Sequence, residues 1–152
     1  HPEDVVGHAT IASRVAPIPI ATGEMAASRL TFKQLLQLDG QSIVQIDASR
    51  VGGVNENLAI ILMARKFNKP ICPHAGGVGL CEMVQHLAFF DAVAVSGLHD
   101  RRYIEFVDHL HEHFINPVVI KDGNYSAPRN PGMSAEMFPS SISQYTYVGS
   151  ME

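Results

Sequence analysis

Charge is scarce in this chain. Charged residues make up 17% of its 152 residues, and their formal balance of −4 argues against a cationic nucleic-acid binder. No apolar run reaches 18 residues, which argues against a transmembrane helix and a membrane partner. Cysteine is limited to Cys72 and Cys81, without the spacing of a disulfide framework. That usage favours a reducing compartment, so we expect an intracellular protein, cytoplasmic or mitochondrial. No initiator Met and no visible signal segment precede His1, which leads us to expect a natural N-terminus further upstream. Low-complexity tracts and linkers are also missing. One domain is the simplest expectation at this length, and 46% hydrophobic residues supply an α/β-type core.

What is present is a regular alternation. Residues 3–15 (EDVVGHATIASRV) read as a helix, and the Pro-bounded run PIPIATGE (17–24) as a strand ending in Gly-Glu. AASRLTFKQLLQL (26–38) puts Leu30, Leu35, Leu36 and Leu38 near helical spacing, with Asp39-Gly40 as the stop. SIVQIDAS (42–49) is the second strand. Gly52-Gly53 turns into VNENLAIILMARKFN, a helix capped by Asn55 with Leu58, Ile61, Leu62 and Arg65 on one face. PICPHA (70–75) is a third strand entered through Pro70, GLCEMVQHLAFF (79–90) a further helix, and RYIEFV (102–107) a fourth strand. PVVI (117–120) with KDGNYSAPRNPG reads as a hairpin and an irregular tail.

Four polar residues stand at or beside the ends of these strands: Glu24, Asp47, His74 and Glu105, at intervals of 23, 27 and 31 residues. Each interval is the length of one strand–helix unit, because a parallel strand needs a crossover of a dozen or more residues. Repeating the unit brings every strand's C-terminal end to one face, where polar side chains converge in a (β/α) barrel. Two carboxylates, an Asp and a His meeting there are the ingredients of a metal and acid–base site. Mg²⁺ takes hard oxygen ligands, and a His titrates near neutral pH and serves as acid or base. Taken singly, each residue also has a blander role. Glu24 suits a helix N-terminus, Asp47 a loop cap and His74 a structural position, while the facing of Glu105 depends on its register.

Two further motifs point to chemistry more weakly. HAGGVGLC is a glycine-rich turn into a helix that could cradle a phosphate, but it lacks the GxxxxGK[ST] spacing and a full GxGxxG. Its glycines read better as a tight loop beside a substrate. His109, His111 and His113 alternate in HLHEHF without an HExxH, so solvent-facing histidines are the expectation there, not a zinc site.

The segments IPIATGE, QIDASRVGGVNENL, CPHAGGVGLCEMVQHL and YIEFVDHLHEHF resemble the C-terminal half of the barrel in the mandelate racemase-like branch of the enolase superfamily. Within that branch the similarity is to the L-fuconate dehydratases, a group of acid-sugar dehydratases, and it runs from about Pro2 to about Met137. The resemblance implies an α/β fold comprising strands five to eight of a (β/α)8 TIM-type barrel. It implies that Glu24 is one carboxylate ligand of an essential Mg²⁺, and that Asp47 and His74 form the family's catalytic dyad. Glu24, His74, Ala75, Gly76 and Glu105 would contact the sugar acid. In such a reaction the metal lowers the cost of an enediolate, His74 gives a proton to the departing 3-hydroxyl, and a lysine takes the α-proton from the other face. The product would be a 2-keto-3-deoxy acid.

The sequence departs from that family at one point. The family pattern has a Lys-x-Lys on strand two, metal carboxylates on strands three and four, and an N-terminal capping domain, and none of these is here. Lys33, Lys66, Lys69 and Lys121 stand in no such motif and at no strand end. One metal ligand of three leaves half of an active site. Open edges and a bare apolar face would make such a half barrel aggregation-prone alone, so its first expected partner is the missing N-terminal half of the same protein. A homo-oligomer is a further possible assembly. Two other classes remain open: a catalytically dead interaction module derived from such an enzyme, and a dehydratase or racemase acting on another sugar acid.

Overall fold

The computed structural model describes residues 1–97, 100 and 102–149. Helix α1 (Val5–Val15) starts where Asp4 accepts the Gly7 N–H at 2.8 Å, satisfying a donor that the first turn leaves free. Strand β1 (Ala21–Thr22) leads through α2 (Arg29–Gln37) to β2 (Ile43–Val44), and the two strands pair in parallel, Ala21 opposite Ile43. The expected stop after α2 is in place, with Asp39 in the left-handed region and the Gly40 N–H on the Leu35 carbonyl.

The third strand position is the 70–75 segment, joined to β2 by parallel bridges Val44–Ile71 and Asp47–His74. The fourth is the 102–107 segment, whose Glu105 N–H donates to the Pro73 carbonyl at 3.4 Å. All four positions lie side by side in chain order with helices between them, so the chain forms the C-terminal half of a (β/α)8 barrel.

The regular ladder is shorter than the sequence runs suggest, and RYIEFV makes no regular strand at all. Pro17 and Pro19 in the first segment and Pro70 and Pro73 in the third lack the N–H that a ladder needs, which thins the hydrogen bonding there.

Helix α3 (Val54–Lys66) begins at Gly53, not at Asn55, because Gly53 takes a φ of 93° that other residues resist. Its buried face is Asn57, Ile60, Ile61 and Ala64; of the face inferred from Leu58, Ile61, Leu62 and Arg65, Ile61 is buried but Leu62 and Arg65 stand exposed, so the face is rotated. Helix α4 (Leu80–Phe90) continues into a π-helical turn at Asp91–Ser96. The expected hairpin is present as β3 (Ile120–Lys121) and β4 (Asn124–Tyr125), turning through Asp122 and Gly123, both at positive φ as a type I′ turn requires. The tail is not wholly irregular: α5 (Pro139–Tyr145) opens with Pro at its first position. Seven polar-rich residues carry too little periodicity to announce a helix, and tertiary contact has to supply its stability.

Alternation along the strands decides which side chains become core. Val44, Ile46 and Ile71 point to the helices and pack with Phe32, Ile60 and Ile61, all at most 2% exposed. Burying each such side chain contributes roughly 1.5–3 kcal/mol. The residues between them, Gln45, Asp47, Cys72 and His74, therefore share the opposite, barrel-interior face. Helix α1 buries none of its residues, and Val6 and Ile11 are more than half exposed.

Candidate active site

The parallel bridge between Asp47 and His74 places their side chains next to each other on the interior face. His74 Nδ1 lies 2.9 Å from Asp47 Oδ2. The other Asp47 oxygen, Oδ1, accepts three hydrogen bonds: the Ser49 hydroxyl at 2.7 Å, the Ser49 N–H at 2.8 Å and the Arg50 N–H at 3.1 Å. Burial pushes the Asp47 carboxyl up, but the two Ser49 bonds, His74 and the Arg50 N–H together more than offset it, and the net shift is downward. An ionised Asp47 takes the Nδ1 proton as acceptor. That leaves Nε2 as the nitrogen able to hold or release a proton toward the barrel mouth.

His74 Nε2 points between two carboxylates, 3.3 Å from Glu24 Oε2 and 3.7 Å from Glu105 Oε2. Glu24 is carried by Gly23, whose φ of 130° belongs to glycine, and where a Cβ would meet the Phe32 ring at 2.6 Å and the Gln45 carbonyl at 2.8 Å. Glu105 turns inward and accepts the Ala75 N–H at 2.6 Å. The Tyr125 hydroxyl, from the hairpin, donates to the Glu105 carbonyl oxygen at 2.7 Å, and burial pushes its phenol up. The structure thus gathers Glu24, Asp47, His74, Ala75 and Glu105 into one cluster.

Gly76 joins that cluster through what it leaves out. A Cβ there would lie 2.6 Å from His74 Nε2, and the ring has no room to yield without losing Asp47. We expect Gly76→Ala to push the His74 ring off Asp47 while leaving thermal unfolding unchanged. Imidazole-nitrogen NMR of His74 beside a melting curve would check it.

Two members of the cluster were not singled out in the sequence. Ser49 had a visible signal, since Asp followed two residues later by Ser is a common side-chain turn. Tyr125 had none, because its contact spans 20 residues and depends on where the hairpin docks. The HLHEHF histidines also differ from expectation. His111 is not solvent-facing but sits against the fully buried Glu82 carboxylate, and His113 Nδ1 lies 3.0 Å from the Ser141 hydroxyl.

The metal question has a clear answer for this chain taken alone. Mg²⁺ wants near-octahedral oxygen coordination, and among the described residues no group of three ligating side chains is suited to hold a metal ion. Glu24, half exposed beside a cavity of about 440 Å³ lined by Thr22, Gly23 and Gln45, is a single hard oxygen donor. These residues do not make a Mg²⁺ site without ligands from elsewhere.

The chain as a whole has clear relatives among known proteins. Residues 1–141 match the family described as Enolase C-terminal domain-like. The chain belongs to that family of the enolase superfamily. It is 54% identical over 148 residues to mitochondrial enolase superfamily member 1 of Xenopus laevis, an alignment covering 96% of this chain and 33% of the relative. It is 53% identical over 150 residues to L-galactonate dehydratase of Hypocrea jecorina, covering 97% and 33%. The crystal structure of human mitochondrial enolase superfamily member 1 superposes with a TM-score of 0.93 at 52% identity, over 97% of this chain and 34% of that one. L-talarate dehydratase from Polaromonas sp. JS666, complexed with Mg and L-glucarate, gives 0.76 at 26% identity, over 94% and 37%. The chain therefore spans about a third of the length of the relatives it matches. Acid-sugar dehydratases are prominent among these relatives, and no described helix is long and apolar enough to cross a membrane.

Proposed function

We propose that this chain is the C-terminal half barrel of a longer, Mg²⁺-dependent acid-sugar dehydratase acting on L-fuconate or L-galactonate, which differ only at C6. The observation that carries this reading is the geometry at His74: Nδ1 on Asp47 at 2.9 Å, with Nε2 facing the mouth between Glu24 and Glu105. In the dehydration, Asp47 orients the ring and His74 Nε2 gives its proton to the 3-hydroxyl as the C3–O bond breaks and water leaves. The α-proton goes to a base outside this chain, and the enol product tautomerises to the 2-keto-3-deoxy acid. Glu105, Ala75 and Gly76 form the wall beside the reacting carbons.

When bound, Mg²⁺ supplies charge stabilisation for the substrate carboxylate. Glu24 would contribute one of its ligands, and the remaining ligands, the base and the capping domain would come from a preceding part of the polypeptide. Helix α1, with no buried residue, and the unpaired outer edge of β1 favour that assembly. The cysteine usage favours a cytoplasmic location, and the name of the mitochondrial enolase superfamily member 1 relatives keeps a mitochondrial one open.

Intact-mass analysis of the natural protein, followed by a keto-acid assay with Mg²⁺ and each of the two acids, tests the reading. A mass near three times the 16.6 kDa of this chain, with turnover, supports it. A natural mass near 16.6 kDa without turnover would replace it with a stand-alone interaction module.

A further inference from the structure

The EFVDHLHEHF run has a second component that the proposed chemistry does not use. His111 Nδ1 lies 2.6 Å from Glu82 Oε1, and Nε2 lies 2.9 Å from the Val107 carbonyl oxygen. A backbone carbonyl only accepts, and an ionised carboxylate only accepts, so both ring nitrogens face acceptors. Glu82 is fully buried on α4; among the described residues its Oε2 has no hydrogen-bond partner, and Oε1 also accepts the Val118 N–H at 3.4 Å. An unpaired carboxylate in that position would be strongly disfavoured, and among the described residues the His111 ring is the ion-pair partner placed to neutralise it.

We propose that His111 is a positioning residue held as an imidazolium, whose two N–H groups bolt α4 to the backbone just past Glu105 and so fix the Glu105 wall of the site. The bolt joins the two arms that meet at the substrate. Helix α4 grows directly from the 74–79 loop carrying His74, Ala75 and Gly76, and Val107 is two residues beyond Glu105. The ring is also stacked on Phe106 at 5.4 Å, and Phe106 meets the Tyr125 ring edge-on.

The groups facing His111 set the sign of its charge. Burial opposes protonation, but Glu82 from α4, the Val107 carbonyl and Asp108 on its own segment outweigh it and hold His111 above the ordinary histidine range. Burial pushes the phenol of Tyr125 on the hairpin up, so it adds no charge beside the ring.

This inference rests on the dehydratase reading for its consequence, not for its geometry, and the experiment separates the two. In the full-length protein, imidazole-nitrogen NMR at pH 7.5 should show both His111 nitrogens protonated. His111→Gln and Glu82→Gln should each raise the KM for the sugar acid roughly tenfold, as loss of a supporting contact does, with Mg²⁺ affinity unchanged. A neutral His111 tautomer at pH 7.5 overturns the proposal, whether or not either variant folds. So does an unchanged KM in both variants when they fold. Inactivity of the unsubstituted protein with a doubly protonated His111 would count against the dehydratase alone.

Discussion

His74→Asn in the full-length protein should lower kcat for dehydration by about 10²–10⁴-fold, the usual worth of a positioned general acid, and leave Mg²⁺ binding nearly intact. Asn can still donate to Asp47 from the Nδ1 side, so the local fold has no reason to change. It carries no titratable proton where Nε2 faces the mouth. Glu24→Gln should do the reverse in part, weakening Mg²⁺ by more than tenfold, since even outer contacts of a metal ligand are worth about 10–100-fold. The separation follows from the geometry: Glu24 touches His74 only at 3.3 Å and is half exposed, whereas Asp47 holds the ring at 2.9 Å and is buried. Calorimetric Mg²⁺ titration beside steady-state kinetics reads both quantities. Equal loss of metal in the two variants would sink the division of roles. Asp47 also sets a lower pH bound. Its carboxyl is depressed, so the stability it contributes is present above the unfolded value of about 3.9 and disappears as pH falls through the folded one.

Removing His111 alone should be the most destabilising change outside the core. His111→Ala strands a carboxylate that is 0% exposed, and breaking a buried pair from one side costs about 3–5 kcal/mol. Replacing both partners, Glu82→Leu with His111→Phe, should recover most of that loss, because an apolar pair of similar volume leaves no charge to compensate. The wild-type pair carries its own pH signature. His111 is raised in the folded state, so its stabilisation is complete below the unfolded value of about 6.5 and is lost as pH rises through the folded one. Thermal unfolding midpoints at pH 6 and pH 9 should therefore fall toward alkaline pH in the wild type and much less in the double variant. A pH-independent midpoint in the wild type would refute the charged pair.

Sequence alone determined the strand–helix rhythm, because that rhythm is local. In SIVQIDAS and PICPHA the apolar residues alternate with Gln45, Asp47, Cys72 and His74, and period two sends one set to the helices and the other to the barrel interior. The glycines of HAGGVGLC also read from sequence as a tight loop after His74, and the structure adds that a Cβ at Gly76 would meet the His74 ring. The resemblance of the strand-end motifs then placed the chain in its superfamily, which the family match bears out.

Tertiary structure decided what depends on distant partners. Whether Glu105 faces inward depends on its backbone contact with Pro73 and on the partners it meets there, the Ala75 N–H and the Tyr125 hydroxyl, and no property of RYIEFV encodes them. Whether His111 is solvated or buried hinges on Glu82, 29 residues away on another helix. Helix α5 and the Tyr125 contact to Glu105 likewise arise only when the tail docks. Periodicity is written within a few residues, but the partner of a polar group is chosen by packing across the whole chain, and the charge it carries follows from that partner.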